Sequence, residues 1–110
     1  MKLRRGLIAW VNFNPQKGHE QAGRRPSLII SPHMYNEVSN CILVCPITSN
    51  IDPWPWKVLL PDTGVVKGAV LADQIKSIDV IARNLDVTDQ MVGDEIMDEV
   101  LAKLATLIAH

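Results

Sequence analysis

The chain has no apolar run near the roughly 18 to 20 residues that a membrane-spanning helix needs. Its opening, Met1-Lys2-Leu3-Arg4-Arg5-Gly6 followed by Leu7-Ile8-Ala9-Trp10-Val11-Asn12, is too short in apolar character for a signal-peptide core and cleavage site. A cytoplasmic protein without membrane contact is therefore expected. Cysteine is scarce. Cys41 and Cys45 stand four apart in a strand-like segment, where four residues cover about 13 Å, beyond disulfide reach. No further Cys or His follows at ligand spacing, so no metal site is expected and both cysteines read as small buried hydrophobes. Histidine is limited to His19, His33 and the terminal His110. A histidine-pair nuclease would have to bring His19 and His33 together, which the sequence alone does not do. Also missing are a Ser/His/Asp order, a Walker loop, a zinc signature and a paired-glycine nucleotide fingerprint. No cofactor is expected. Repeats, linkers and low-complexity tracts are lacking too, and 110 residues make one domain, residues 1–110.

A large net charge is absent from the total, which is -1, but the distribution is uneven. Residues 1–78 hold nine Lys or Arg against five Asp or Glu, and residues 79–110 hold two against seven. A basic body suits a polyanion such as nucleic acid.

What the chain does have is an ordinary folded composition, 47% apolar and 21% charged. Gly6 to Phe13 is rich in strand formers and is stopped by Asn14-Pro15. Arg25 to Ser31 is nearly continuous in apolar character and reads as a central strand. Residues 31–40 are turn-rich, with room for one helical turn. Cys41 to Thr48 reads as a third strand in which Pro46 marks a bulge or edge. Trp56 to Leu60, Gly68 to Leu71 and Gln74 to Ile78 read as further short strands, with a bend at Ala72-Asp73 and a turn at Pro61-Asp62-Thr63-Gly64. One more strand is expected over Ala82 to Val87. From Asp94 the period changes: Ile96, Met97, Val100, Leu101, Leu104, Leu107 and Ile108 recur at spacings of three and four, one face of an amphipathic helix. Asp94, Glu95, Asp98 and Glu99 fall in its first turns, where the helix dipole favours negative charge. The expected fold is mostly β: six to seven short strands in a small barrel or rolled sheet, closed by a C-terminal helix.

The stretch with most chemistry is Gly18-His19-Glu20-Gln21-Ala22-Gly23-Arg24-Arg25-Pro26, directly before the second strand. Two glycines allow close backbone approach and Pro26 ends that freedom. Other polar residues gather at strand ends: Thr48 and Ser49 after the third strand, and Asp73, Gln74, Lys76 and Ser77 around the sixth. An arginine fork suits phosphate oxygens and a hydroxyl adds one more bond, so Arg25 and Thr48 would make an anion site if they converge. The alternative is that Arg25 pairs with a carboxylate and Thr48 merely ends a strand. Alternation assigns Trp56 to the core with Val58 and Leu60, leaving Trp54 as the surface aromatic able to stack on unpaired bases.

These words, in order, carry a family likeness: Trp10-Val11-Asn12-Phe13-Asn14-Pro15, Lys17 to Pro26, Ser31-Pro32-His33-Met34-Tyr35-Asn36, Pro46-Ile47-Thr48-Ser49, and Gly68 to Ile78. The chain resembles the MazF/PemK toxins of bacterial toxin–antitoxin systems, endoribonucleases that cut messenger RNA. The resemblance implies an SH3-like barrel with a C-terminal helix, acting as a homodimer on single-stranded mRNA and neutralised by a MazE-type antitoxin. It implies a catalytic pair at Arg25 and Thr48, with Glu20 implicated in activity. It also implies RNA contacts around Asp73, Gln74, Lys76, Ser77 and Asn36, and sequence preference set by the loops His19–Gly23 and Ile51–Pro55. The expected substrate-binding set is Lys17, His19, Gln21, Arg24, Asn36, Ser49, Trp54, Asp73, Gln74, Lys76 and Ser77. With no metal-ligand pattern in the sequence, the expected attacking group is the substrate's own 2′-hydroxyl, giving a 2′,3′-cyclic phosphate and a 5′-hydroxyl. The rival on a shared fold is a non-enzymatic CcdB-like toxin that binds a protein such as DNA gyrase. That family relies on an aromatic C-terminal tail, whereas this chain ends Thr106-Leu107-Ile108-Ala109-His110.

Overall fold

Alternation along three adjacent strands divides the interior into two apolar layers. The structure, a computed structural model, describes residues 2–13, 23–61 and 66–109. Strands β1 (Leu7–Asn12), β2 (Arg24–Ile29) and β3 (Cys41–Thr48) lie side by side and antiparallel. On one face Ile8, Leu28, Cys45 and Ile47 meet Met97, Val100 and Leu104 of the C-terminal helix. On the other, Ala9, Val11, Phe13, Ile29, Ile42 and Val44 meet Ile78.

The remaining elements extend this centre. They are α1 (His33–Val38), β4 (Lys57–Leu59), β5 (Ala69–Leu71), β6 (Lys76–Asp79), β7 (Asp86–Met91) and α2 (Asp94–Ile108). The sheet runs β4-β5-β3-β2-β1-β7, with β6 also on β3. Seven strands and a closing helix agree with the expected architecture. Among the described residues the ladder is open between β4 and β7 rather than hydrogen-bonded into a closed barrel.

Pro46 stands fully buried in the central strand, not at an edge. The Ile30 N–H donates to Leu43 O, so two-residue alternation makes Ser27–Pro46 a non-hydrogen-bonded pair, and the proline nitrogen faces the opposite side. There the partner segment bulges. Between the pairs Val44–Lys76 and Ile47–Val70, β3 spans two residues and its neighbour five. A 3-10 turn at Ala72–Gln74 takes up the excess. Proline's missing donor thus sits where no ladder bond is available.

The helical turn allowed for in the segment 31–40 is the six-residue helix α1. Two expectations change. The strand expected over Ala82 to Val87 lies later, at Asp86–Met91. The Asp79 carboxylate accepts from the Ile81 and Ala82 N–H groups, and Asn84 takes a left-handed φ of 51°, so a turn fills the first half of that stretch. Cys41 is half-buried rather than buried, while Cys45 is fully enclosed; both are free thiols.

Helix α2 begins after Gly93 without a side-chain cap, and Asp94 and Glu95 occupy its first turn. Its apolar stripe seats Met97, Val100 and Leu104, with Ile96 and Leu101 at the margin; Leu107 and Ile108 are exposed. The helix end also supports the Trp54–Trp56 segment. The Trp56 indole donates to Thr106 Oγ1 at 2.9 Å, and the Lys103 ammonium donates to the Pro55 carbonyl. No helix among the described residues is long and apolar enough to cross a membrane.

Candidate functional site

The β2–β3 register builds the centre of the site. Its recorded pairs are Ile29–Val44, Leu28–Cys45 and Ser27–Pro46. Continued two residues further, it sets Arg25 across from Thr48, at a non-hydrogen-bonded position where side chains on one face stand closest. Both belong to the face of Ile29 and Val44. Lys76 joins that face from β6 opposite Val44, its ammonium 5.8 Å from the centre of the Phe13 ring. Two cations and a hydroxyl therefore share one surface of the sheet. Ser27, between Arg25 and Ile29, is fully buried and its hydroxyl has no hydrogen-bond partner among the described residues.

Thr48 is held from both sides. It is 6% exposed, and its Oγ1 accepts from the Asn50 N–H at 3.1 Å. Asn50 Oδ1 accepts in turn from the Asp52 N–H and from Lys57 Nζ, which also donates to the Asp52 carbonyl. Gly68 presses on the backbone: a Cβ there would lie 2.0 Å from Thr48 O, and its φ is +123°. Only glycine meets both conditions. Asn50, Lys57 and Gly68 were not singled out from sequence. The available signal was the Asn50-Ile51-Asp52-Pro53 pattern, in which an asparagine side chain closes its own turn.

A cavity of about 430 Å³ opens beside Thr48. Trp54, Asp73 and Gln74 line it together with Asn50 and Lys57. Trp54 is 48% exposed, its indole N–H donates to Asp73 Oδ2 at 3.0 Å, and its ring centre lies 5.4 Å from that of Trp56. Below, burial and the nearby Asp73 charge push the Cys45 thiol up to about 12, which keeps it a neutral packing group.

Other expected site residues lie elsewhere. Arg24 alternates to the opposite face from Arg25 and is spent on Asn84 O at 2.9 Å and Asp86 Oδ2 at 3.4 Å. The Asn36 amide donates to Leu3 O and Ser31 O and accepts from the Ser31 hydroxyl, fastening α1 to the N-terminal segment. Ser49 lines a separate cavity with Ile51, Leu59 and Gly68, and Ser77 is exposed on the face away from Lys76. Lys17, His19, Glu20 and Gln21 lie outside the described residues. The segment that contains them is bracketed by the Phe13 N–H, which donates to Gly23 O at 2.9 Å. Gly23 enters β2 with a φ of +75°.

Residues 4–108 match the model of a family described as PemK-like, MazF-like toxin of type II toxin-antitoxin system. The chain is 38% identical over 104 residues to the endoribonuclease toxin MazF of Escherichia coli K12, covering 94% of this chain and 91% of that protein. It is similar to the crystal structure of MazF from Deinococcus radiodurans, with a TM-score of 0.91, 39% identity, and coverage of 98% and 97%. A MazE–MazF crystal structure from the same organism aligns with a TM-score of 0.83, 33% identity, and coverage of 98% and 96%.

Proposed function

The chain belongs to the PemK-like, MazF-like toxin family, and from that premise we propose that it is a sequence-selective endoribonuclease toxin cutting single-stranded mRNA. The reading is supported by the β2–β3 register, recorded as far as Ser27–Pro46, whose continuation would bring Arg25 across from Thr48, beside a cavity lined by Trp54, Asp73 and Gln74.

In the proposed reaction the 2′-oxygen of the nucleotide before the cut attacks the adjacent phosphorus. A P–O2′ bond forms, the P–O5′ bond breaks, and a 2′,3′-cyclic phosphate and a 5′-hydroxyl result. The 2′-proton passes to a base and the departing 5′-oxygen takes one up. Arg25 and Thr48 act on the charge that gathers on the phosphoryl oxygens, through donors already held in position. Arginine stays protonated at a pKa of roughly 12 or above, so it stabilises charge rather than removing the proton. Glu20, or a group from a second subunit, is the base in this reading. DNA lacks the attacking hydroxyl and is not cut. The active form is a homodimer in the cytoplasm, and a MazE-type antitoxin neutralises it. The relative from Deinococcus radiodurans was solved with MazE.

Incubating the purified protein with a long single-stranded RNA and mapping the ends tests the whole reading. Discrete cuts at a shared short motif, bearing cyclic-phosphate and 5′-hydroxyl ends and unaffected by EDTA, are expected. Arg25→Ala and Thr48→Ala, each confirmed folded, lower the rate at least about 100-fold, the scale of removing one preorganised donor. Near-normal cutting by either removes that residue from the mechanism. Intact RNA together with binding to a protein target would favour the CcdB-like reading.

A further inference from the structure

The cavity beside Thr48 has features that phosphate binding alone does not use. Trp54 is half-exposed, yet its orientation is fixed by the indole bond to Asp73 and by the neighbouring Trp56 ring. Trp56 is itself tied to α2 through Thr106. An aromatic held this way is a ready stacking platform, and stacking accepts any base because every base has a π-face. Discrimination must come from groups that meet the base edge. Asp73 supplies one. Its Oδ2 is taken by Trp54, while its Oδ1 receives no hydrogen bond among the described residues. The Lys57 ammonium, also at the cavity, is turned toward Asn50 and Asp52.

Building on the ribonuclease reading, we propose that this cavity is a nucleobase subsite next to the scissile phosphate, selecting a base with an exocyclic amino group and rejecting uracil. A carboxylate only accepts hydrogen bonds. Cytosine offers its N4 amine, adenine its N6 amine, and guanine N1–H and the N2 amine side by side. Uracil sets two carbonyl oxygens around its single N–H, so its edge brings oxygen against carboxylate. Thr48 lines the same cavity, which assigns the selected base to a nucleotide adjoining the cut.

The test has two arms. In the first, a randomised single-stranded RNA pool is cut by wild type and by Asp73→Asn, and base frequencies around the cuts are compared. Asparagine keeps an acceptor for Trp54 and adds a donor that uracil O4 can meet. One position beside the cut should show amino-bearing bases preferred over uracil by at least tenfold in wild type and near parity in Asp73→Asn, with other positions unchanged. The same profile in both proteins, or no position that excludes uracil, overturns the proposal. The second arm needs no catalysis. The Trp54 indole N–H resonance, assigned by its loss in Trp54→Phe, is followed in wild type while AMP, CMP, GMP or UMP is added. The three amino-bearing nucleotides should shift it at concentrations at least tenfold below that needed for UMP; an equal response to UMP, or none to any nucleotide, overturns the subsite. A wild type that cuts no RNA would instead refute the ribonuclease reading, and the nucleotide titration would still decide the subsite.

Discussion

At Gly68 the demands of backbone geometry and of the proposed chemistry meet in one residue. A side chain there faces a φ of +123° and a Cβ only 2.0 Å from the carbonyl of Thr48. The left-handed region alone costs a residue with a Cβ roughly 1–2 kcal/mol, and the clash requires β5 or the end of β3 to move. Gly68→Ala should therefore lose more than about 2 kcal/mol in urea unfolding and should cut RNA far more slowly even where it is folded. Gly23 is the control. It has a φ of +75° but no atom of the described residues within 4 Å of its missing Cβ, so Gly23→Ala should show only the conformational cost. Equal behaviour of the two variants would mean that contact with Thr48 is unimportant. Arg25 and Thr48 are legible as candidates because phosphate-binding side chains stand at the ends of apolar strands and because the family resemblance pairs them. Gly68 is not, because its role depends on a contact across strands that no local pattern encodes.

The elements differ in how openly the sequence declares them. Helix α2 has a three-and-four spacing over four turns and is readable; its last apolar pair, Leu107 and Ile108, belongs to the apolar stripe by spacing yet is exposed, since periodicity does not say where the supporting sheet ends. Strand β7 lies later than expected because, among the described residues, it pairs with β1 alone and its sequence, Asp86-Val87-Thr88-Asp89-Gln90-Met91, can stay polar at an edge. Ile81, just before the expected strand, is 86% exposed in the turn. That turn has its own titration. The N–H groups of Ala82 and then Ile81 hold the Asp79 carboxyl below the usual carboxylate range. A depressed carboxylate stabilises the fold above its ordinary pKa, and that contribution disappears as pH falls through the folded value. Asp79→Ala should thus melt below wild type at pH 7, with the gap closing on acidification. A gap independent of pH would assign the effect to packing instead.

Across the whole molecule, the sheet stands between two basic residues, Arg25 and Lys76, and the helix that carries four acidic ones. Arg25 and Lys76 belong to one face of the central strands, while α2 packs on the other. The acidic residues Asp94, Glu95, Asp98 and Glu99 sit at the start of that helix, and its far end holds the Trp54–Trp56 segment through Lys103 and Thr106. Composition gives a basic body and an acidic tail; the pairing register adds that Arg25 and Lys76 of the body lie on the face away from α2. The separation has a consequence for RNA binding. Each phosphate neutralised on a single strand contributes about -0.7 to the slope of log affinity against log salt, so two to four contacts give a slope of about -1.4 to -2.8. Lys76→Met should bring the slope about 0.7 closer to zero, measured with a DNA strand that binds without being cut. Asp98→Asn combined with Glu99→Gln should change it far less, because α2 packs on the face of the central strands opposite Arg25 and Lys76. A slope that responds to the α2 substitutions as strongly as to Lys76→Met would mean that RNA runs along the helix, and that the Arg25 face is not its path.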